Sequence, residues 1–409
     1  MTVKIKAERG YVMKGLLFVL FAAVLYSVSY AVPVPHNVPA LFRTTSGVEI
    51  TSVEQWEKQR RPEILDFFSR EVFGVRPIEA GERNRVSFKL ERSDEIMGGK
   101  AIRKSVRVIF YGPQCKHSFV LGVYIPKSKK PVPAFVCIGL GLFTNLGDDG
   151  FLISPRCPVA DIVNRGFALV LFRNVDIAAD KNVGYDQGIY KAFKGSAQRN
   201  AESWATISAW AWGASRAMDW IETEPLIDSK KVAVIGHSRG GKTALWAGAT
   251  DKRFAMTCSN DSGCSGAKLN HIRLPRSEDI LQITKRFPYW FCENYKKYVK
   301  KEMSMPFDQH QLLALIAPRL LCVASATEDQ WAGPIGEWWS AKLASPAWEL
   351  YGKKGVVGQE IPEPDTPQQQ GCVSYHLRTG RHTLDPYDWK CYMDFASSHG
   401  WLKRELRVK

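Results

Sequence analysis

The stretch KKVAVIGHSRGGKTALWAGA, residues 230–249, decides how the rest of the chain is interpreted. Its first part, KVAVI, is a short apolar run of the kind that forms a buried parallel strand. Its second part, GKTALWAGA, is typical of a helix. Between them stands Ser238 in the pattern G-x-S-x-G, with Gly236 and Gly240 on either side. The stretch therefore predicts a tight strand-to-helix turn with the Ser238 hydroxyl above the carboxyl edge of a sheet.

Strand and helix patterns alternate along the rest of the chain. Buried strands are predicted at VPAFVCIGLGL, FALVLFRNVD, FAMTCSND, RLLCVASATED and CVSYHLR, and helices at SWATISAWAWGASRAMDWIET, LLALIAP, GEWWSAKLASPAWELYG and DPYDWKCYMDFASSHGWL. Ahead of them, RVSFKLERSDE, KSVRVIFYG and SFVLGVYIP alternate with the two-residue period of antiparallel strands. SVEQWEKQRRPEILDFFSREVFG predicts an N-terminal helix capped by Ser52. The order predicts a doubly wound, mostly parallel sheet flanked by helices, a three-layer α/β sandwich.

The first residues have the features of an export signal. MTVKIKAERGYVMK is basic, GLLFVLFAAVLYSVSYA is apolar, and Ser29 and Ala31 are small residues at the positions that a signal peptidase reads. We expect cleavage after Ala31, an uncleaved anchor being the alternative. Residues 32–409 are predicted to form a single catalytic domain with an N-terminal extension, exported by a bacterium to the periplasm or the medium. No stable membrane insertion is expected after cleavage.

Composition restricts the partners and cofactors. The formal net charge is +15, which favours an acidic partner such as nucleic acid, anionic lipid or an acidic polysaccharide. Export argues against nucleic acid. The nine cysteines are an odd number, and we expect at most one or two disulfides among them. No Cys/His cluster has metal-ligand spacing, so no metal site is predicted. We also expect an enzyme that needs no other cofactor and acts as a monomer.

A serine hydroxyl needs a base to become a nucleophile, and the base is usually histidine. In chains of this type the order is serine, acid, histidine. His382 lies in GRHTLDPYDW, on a loop between the last predicted strand and the last helix, and is the predicted base. His376 falls within the strand and His399 at the end of the helix, so both are less suited to this role.

Three carboxylates are candidates for the acid, the third residue of a catalytic triad with Ser238 and His382. Glu328 and Asp329 follow the strand RLLCVASAT, and Asp261 follows the preceding strand, FAMTCSN. Each position lies at the carboxyl edge of the predicted sheet, from which a carboxylate can reach the second histidine nitrogen and fix its tautomer. Asp329 is preferred, and Asp261 and Glu328 remain alternatives.

Several long motifs follow one another along the chain: GHSRGGKTALWAGATDKRFA, SNDSGCSGA, FPYWFCENYKKY, DQHQLLALIAPRLLCVASATEDQWAGP and GRHTLDPYDW. In sequence and in order they resemble carbohydrate esterase family 15, the glucuronoyl esterases, in its bacterial branch. The resemblance implies the α/β-hydrolase fold. It also implies cleavage of esters between lignin alcohols and the 4-O-methyl-D-glucuronate side chains of xylan.

The same resemblance implies roles for individual residues. Ser238 would be the nucleophile and Arg239 would assist the oxyanion. Lys242 matches the lysine that binds sugar hydroxyls, Glu278 the sugar-binding glutamate, and Trp331 the tryptophan wall beside the uronate. The family needs no metal.

One departure concerns a disulfide of the fungal members, which joins a cysteine before the nucleophile to one beside the catalytic histidine. His237 and Arg381 stand at these two places here, so that bridge is absent. Competing functions are an acetyl xylan esterase or another carboxylesterase on plant polysaccharide, and a polysaccharide-binding protein without catalysis.

Overall fold

The structure is a computed structural model that describes residues 35–77, 81–139, 154, 156–193 and 199–402. The predicted export signal, residues 1–31, lies outside these ranges. His36–Lys409 forms one compact unit. Among the described residues, no helix combines the length and the apolar character needed to cross a bilayer.

Nine strands of the described chain form one mixed sheet in the order β1-β2-β3-β5-β4-β6-β7-β8-β9. The strands are β1 (Val86–Ile96), β2 (Ala101–Tyr111), β3 (Lys116–Pro126), β4 (Val132–Ile138), β5 (Ala168–Phe172), β6 (Ile227–His237), β7 (Met256–Asn260), β8 (Leu320–Ala326) and β9 (Val373–Arg378). The first three are antiparallel, and β3 pairs antiparallel with β5. All pairings from β5 to β9 are parallel, which confirms the predicted mostly parallel sheet.

The α-helices of the described chain are α1 (Val53–Gln55), α2 (Arg61–Phe68), α3 (Val159–Asn164), α4 (Gly188–Phe193), α5 (Thr206–Ile221), α6 (Arg239–Thr250), α7 (Ile280–Arg286), α8 (Gln309–Ala314), α9 (Pro334–Ala344), α10 (Pro346–Glu349) and α11 (Pro386–Ser398). π-Helical turns at Trp56–Arg60 and Ser69–Phe73 extend α1 and α2. The single helix predicted for GEWWSAKLASPAWELYG is divided into α9 and α10, because Pro346 has no N–H to continue the hydrogen-bond ladder.

Both faces of the parallel part of the sheet are buried, as β6 shows. Val232 and Val234 belong to one hydrophobic core, which includes residues of α5, α6 and α9. Ala233 and Ile235 belong to a second core, which includes residues of α3 and α11. Alternate residues of a strand point to opposite faces, so the sheet is the middle layer of three. All nine cysteines are unbonded, and seven of them are buried.

The N-terminal helical segment belongs to the same body. Ser52 caps it, since its hydroxyl accepts a hydrogen bond from Gln55 N at 3.2 Å, as predicted. Further along, the Phe73 ring stacks on Trp246 of α6 with centroids 4.6 Å apart. The segment therefore supports the helix that follows Ser238.

Close contact between α6 and β7 makes Gly248 a test of this packing. A Cβ atom there would lie 2.1 Å from Thr257 Oγ1 and 3.0 Å from Ile316 Cδ1. We expect Gly248→Ala to lower the free energy of unfolding by about 1–3 kcal/mol, measured by urea denaturation. The control is Gly213→Ala in α5, where an added Cβ atom would lie 2.9 Å from its nearest neighbour, Ile177 Cγ1, so a smaller loss of stability is expected. A Gly248→Ala protein as stable as the wild type would contradict the packing.

Candidate active site

Ser238 occupies a strained turn between β6 and α6. Its φ and ψ are 57° and −120°, outside the regions that L-residues ordinarily adopt. Its N–H donates to Asn260 O on the neighbouring strand at 2.8 Å. A Cβ atom at Gly236 would lie 2.1 Å from Gly240 O, so the chain can fold back this tightly only with glycine at 236. The predicted strand-turn-helix geometry is confirmed.

The turn lies at the carboxyl edge of β6, next to β4, where the order of the sheet reverses. Such a switch point is where open α/β sheets bind ligands. A cavity of about 300 Å³ borders Ser238 on the side of Gly139 and Asn174. A second cavity, of about 210 Å³, borders it on the side of Lys242 and Trp331. Ser238 lines both.

His382 and Asp329 form a hydrogen-bonded pair beside this serine. His382 Nδ1 and Asp329 Oδ2 are 2.5 Å apart, and His382 lines both cavities together with Ser238. Asp329 is buried, whereas the His382 side chain is 42% exposed. Asp329 Oδ1 accepts a second hydrogen bond from Ala332 N at 3.2 Å, which orients the carboxylate. The structure therefore brings the preferred acid to the predicted base.

Asp261, the first alternative acid, lies close to this pair but is bonded differently. Neither of its carboxylate oxygens has a hydrogen-bond partner in the described structure, and the nearest cation is Arg378 Nη2 at 3.6 Å. Burial, with the charges of Glu337 and Asp329, raises the pKa of Asp261 well above its usual range. Ligand atoms of Asp261, Asp329 and His382 lie within 4.8 Å of one another, close enough to share a cation.

The remaining alternatives lie apart from the pair. Glu328 is exposed and forms an ion pair with Arg381 at 3.3 Å rather than with His382. His376 is buried in β9, where its Nε2 bonds Asp388 at 2.8 Å. Of the alternatives weighed from the sequence, only Asp261 therefore borders the His382–Asp329 pair.

His237 stands where fungal members of the resembling family have a cysteine. Its Nδ1 bonds Asn260 Oδ1 at 2.7 Å, and its ring centroid is 4.5 Å from that of His382. Burial and the neighbouring His382 lower the pKa of His237 to about 4. His237 is therefore a neutral packing partner for the His382 ring at neutral pH.

The Arg239 guanidinium is fixed by contacts that the sequence did not reveal. It donates a hydrogen bond to Asp180, and its Cζ lies 4.8 Å from the centre of the Trp290 ring. Asp180 also accepts hydrogen bonds from Tyr289 Oη at 3.1 Å and Trp290 Nε1 at 2.9 Å. No sequence motif surrounds Asp180. It reaches α6 only because the folded chain brings together residues that are 59 positions apart. The backbone N–H of Arg239, in the first turn of α6, has no intrahelical partner.

Lys242, Glu278 and Trp331 line the second cavity with Ser238. Lys242 is buried, donates a hydrogen bond to Ser262 O and lies 4.0 Å from Glu278 Oε2. Burial lowers the pKa of Lys242, and the charge of Glu278 opposes this shift. Glu278 N donates to Trp331 O at 2.9 Å, while the Trp331 side chain is exposed. The three residues predicted by resemblance are thus neighbours.

Glu337 is a further buried residue near Asp261 and Asp329 that the sequence did not indicate. In the sequence it resembles an ordinary charged residue on the surface of α9. One of its oxygens accepts from Gly263 N at 2.8 Å and Ser262 Oγ at 3.1 Å. The other accepts from Ser325 Oγ at 2.6 Å. Glu337 therefore ties the turn after β7 to the end of β8, the two segments that carry Asp261 and Asp329.

The sheet order and the strained turn after β6 define the α/β-hydrolase fold. A family model described as "Glucuronyl esterase, fungi" matches residues 112–352. The chain is 35% identical over 394 residues to "Carbohydrate esterase MZ0003" from an unknown prokaryotic organism, covering 89% of this chain and 90% of that protein. Its fold matches the glucuronoyl esterase of Solibacter usitatus with a TM-score of 0.82 and 36% identity, over 90% of this chain and 99% of that one.

The chain is also 36% identical over 251 residues to the 4-O-methyl-glucuronoyl methylesterase of Hypocrea jecorina. That match covers 59% of this chain and 49% of the fungal protein. The chain belongs to the glucuronoyl esterases, carbohydrate esterase family 15. The match to the Solibacter usitatus enzyme agrees with the predicted bacterial branch of this family. The resemblance of its motifs to this family is thereby confirmed.

Burial raises the pKa of Glu337 from 4.5 to about 7. Protonation of the buried Glu337 carboxyl therefore stabilises the folded protein. This stabilisation is complete below about pH 4.5 and is lost as the pH rises through 7. Glu337→Gln stays neutral, so we expect it to be more stable than the wild type at pH 8, by on the order of 1–3 kcal/mol, with a smaller difference at pH 5. Urea denaturation at both pH values measures this. Exposed Glu349→Gln is the control, and a pH-independent difference for Glu337→Gln would contradict the prediction.

Proposed function

We propose that the protein is a serine esterase that hydrolyses the ester between 4-O-methyl-D-glucuronate side chains of xylan and lignin alcohols. The observation that carries this proposal is the position of Ser238. It lines one cavity together with Lys242, Trp331 and His382, and His382 is hydrogen-bonded to Asp329. The names of the curated relatives support the uronate ester as substrate.

The reaction proceeds through an acyl-enzyme. Ser238 Oγ attacks the uronate carbonyl carbon while His382 accepts the hydroxyl proton, and Asp329 stabilises the resulting imidazolium. The ester C–O bond breaks, and the alcohol leaves with the proton from His382. Water then attacks the acyl carbon while His382 accepts its proton. The bond from the acyl carbon to Ser238 Oγ breaks, His382 returns the proton to Oγ, and the uronate leaves. The Arg239 N–H and guanidinium face the oxyanion, and each such donor stabilises it by ~3 kcal/mol.

Asp329 is the proposed acid, and two contacts support it over its alternatives. It bonds His382 directly, and it is itself oriented by the N–H of Ala332. Asp261 is less suited to stabilise an imidazolium, because burial raises its pKa and favours its uncharged form. Glu328 is engaged with Arg381 at the surface.

The sugar is bound in the second cavity. Lys242 and Glu278 are buried polar groups at its wall, where they donate to and accept from ring hydroxyls, and exposed Trp331 packs against the ring. In acetylated xylan the sugar is the alcohol part of the ester, and the acyl part is an acetyl group with no ring to contact these residues. This is why a uronate ester is favoured over the alternative, an acetyl xylan esterase or another carboxylesterase.

The proposed place of action is outside the cytoplasm. The basic and apolar residues at the N-terminus support export to the periplasm or the medium, with cleavage after Ala31. Residues 32–409 then form the mature catalytic domain, which acts as a monomer without a metal or other cofactor.

The function is tested with benzyl D-glucuronate and acetylated xylan as substrates. We expect turnover of the glucuronate ester and a loss of about 10⁴-fold or more in kcat for Ser238→Ala, since no other group replaces the nucleophile. Ser398→Ala, at the end of α11, is the control and keeps full activity. Turnover of acetylated xylan alone would overturn the substrate, and unchanged turnover by Ser238→Ala would overturn the mechanism.

The choice of acid is tested with two isosteric variants. Asp329→Asn is expected to lower kcat about 10³–10⁴-fold, because an amide cannot stabilise the imidazolium. Asp261→Asn mimics a protonated carboxyl, so its kcat should stay within about threefold of the wild type. Steady-state kinetics on the glucuronate ester measures both. The reverse ranking of the two variants would assign the acid to Asp261.

A further inference from the structure

A buried cation lies beneath the loop that carries His382. Arg378 is the last residue of β9 and is 3% exposed. Its Nη2 donates to Arg381 O at 2.8 Å and to Thr383 O at 2.7 Å, the carbonyls on either side of His382. In the part of the chain that the structure describes, no other donor reaches these two carbonyls. Arg378 Nη2 therefore holds the backbone on both sides of His382.

The guanidinium is itself anchored to the following helix. Arg378 Nε donates to Asp388 Oδ2 at 3.1 Å, and Nη1 lies 3.3 Å from Asp385 Oδ2. The other oxygen of Asp388, which is fully buried in α11, bonds His376 Nε2 at 2.8 Å. Burial alone would lower the pKa of Arg378, but the charges of Asp388, Asp385 and Asp261 raise it. The guanidinium is thus cationic and held in one orientation.

The same loop is joined to the turn that precedes Asp329. Thr327 N donates to Arg378 O at 2.9 Å, and Glu328 N donates to Gly380 O at 2.9 Å. Gly380 N in turn donates to Thr327 Oγ1 at 3.0 Å. These bonds set the start of the loop against β8. They do not reach the peptide groups around His382, for which Arg378 supplies the contact.

We propose that Arg378 is a positioning residue for catalysis: it fixes the carbonyls of Arg381 and Thr383, the residues before and after His382, so that the imidazole keeps its bond to Asp329 while bordering Ser238. Only a planar guanidinium has enough donors, at fixed angles, to bind two carbonyls and a carboxylate together. A lysine ammonium at the same place keeps the charge but not this fork. The inference rests on the proposed function, since it concerns the base of that reaction.

The test is the kinetics of Arg378→Lys in the full chain on benzyl D-glucuronate. Because a misplacement of about 1 Å costs on the order of 100-fold, kcat should fall about 10–100-fold with KM within about twofold of the wild type. In the described structure Arg378 makes no hydrogen bond or ion pair with Lys242, Glu278 or Trp331, so these sugar contacts should keep KM unchanged.

Arg319→Lys is the matched control. Arg319 also donates to backbone carbonyls, among them Gly248 O at 2.7 Å and Phe254 O at 2.8 Å, but it precedes β8, at the opposite end of that strand from Asp329. It should lose a similar amount of thermal stability and keep its kcat. An Arg378→Lys protein with wild-type kcat, or equal losses of kcat in both arginine variants, would overturn the proposal.

Two further measurements cover the other outcomes. If Arg378→Lys does not fold, Asp388→Asn replaces it, since this change removes the charge bound to Nε with little change in volume. Its kcat should also fall, and an unchanged kcat would count against the proposal.

If the wild type does not hydrolyse the glucuronate ester, the proposed function fails, but labelling of Ser238 by a fluorophosphonate still depends on His382. Arg378→Lys must then slow this labelling, and equal rates would refute the positioning role.

Discussion

The strained backbone of Ser238 is the constraint on which the site depends. Its left-handed φ places the side chain above the sheet, and the chain can reverse there only because Gly236 lets Gly240 approach within contact distance. Strain of this kind costs about 1–3 kcal/mol and persists only where the surroundings impose it. Here β6 is buried on both faces and Ser238 N is bonded to β7, so the parallel sheet supplies the restraint.

The turn has a second consequence, which is electrostatic. Arg239 and Lys242 stand in the first turn of α6, where the positive end of the helix dipole disfavours cations. Their cost is offset by carboxylates from elsewhere in the chain, Asp180 for Arg239 and Glu278 for Lys242. A local rule is therefore broken at the proposed binding site for the ester carbonyl and the sugar. Such violations are expected at functional sites rather than in a passive surface.

Burial distinguishes carboxyl groups that the sequence presents as equivalent. Asp261 and Asp329 follow neighbouring strands and lie near the same imidazole, yet only Asp329 has hydrogen-bond donors that stabilise its charge. Glu337 is also buried, and its three donors do not prevent a rise of its pKa to about 7. The Arg378 guanidinium lies 3.6 Å from Asp261 and also donates to a carbonyl of the loop that carries His382. Charge balance and geometry thus come from one set of buried residues.

The sequence by itself determined the sheet, the turn and the order of the proposed catalytic residues, since these depend on local periodicity and on glycine positions near Ser238. It also placed His382 on the loop between the last strand and the last helix, where the structure has it. It left the acid open, and it did not reveal Asp180, Glu337 or Arg378. These assignments belong to the tertiary structure, because desolvation and hydrogen bonding depend on groups far apart in the chain. Arg378 reads as the last residue of a strand until folding places the carbonyls around His382 over its guanidinium.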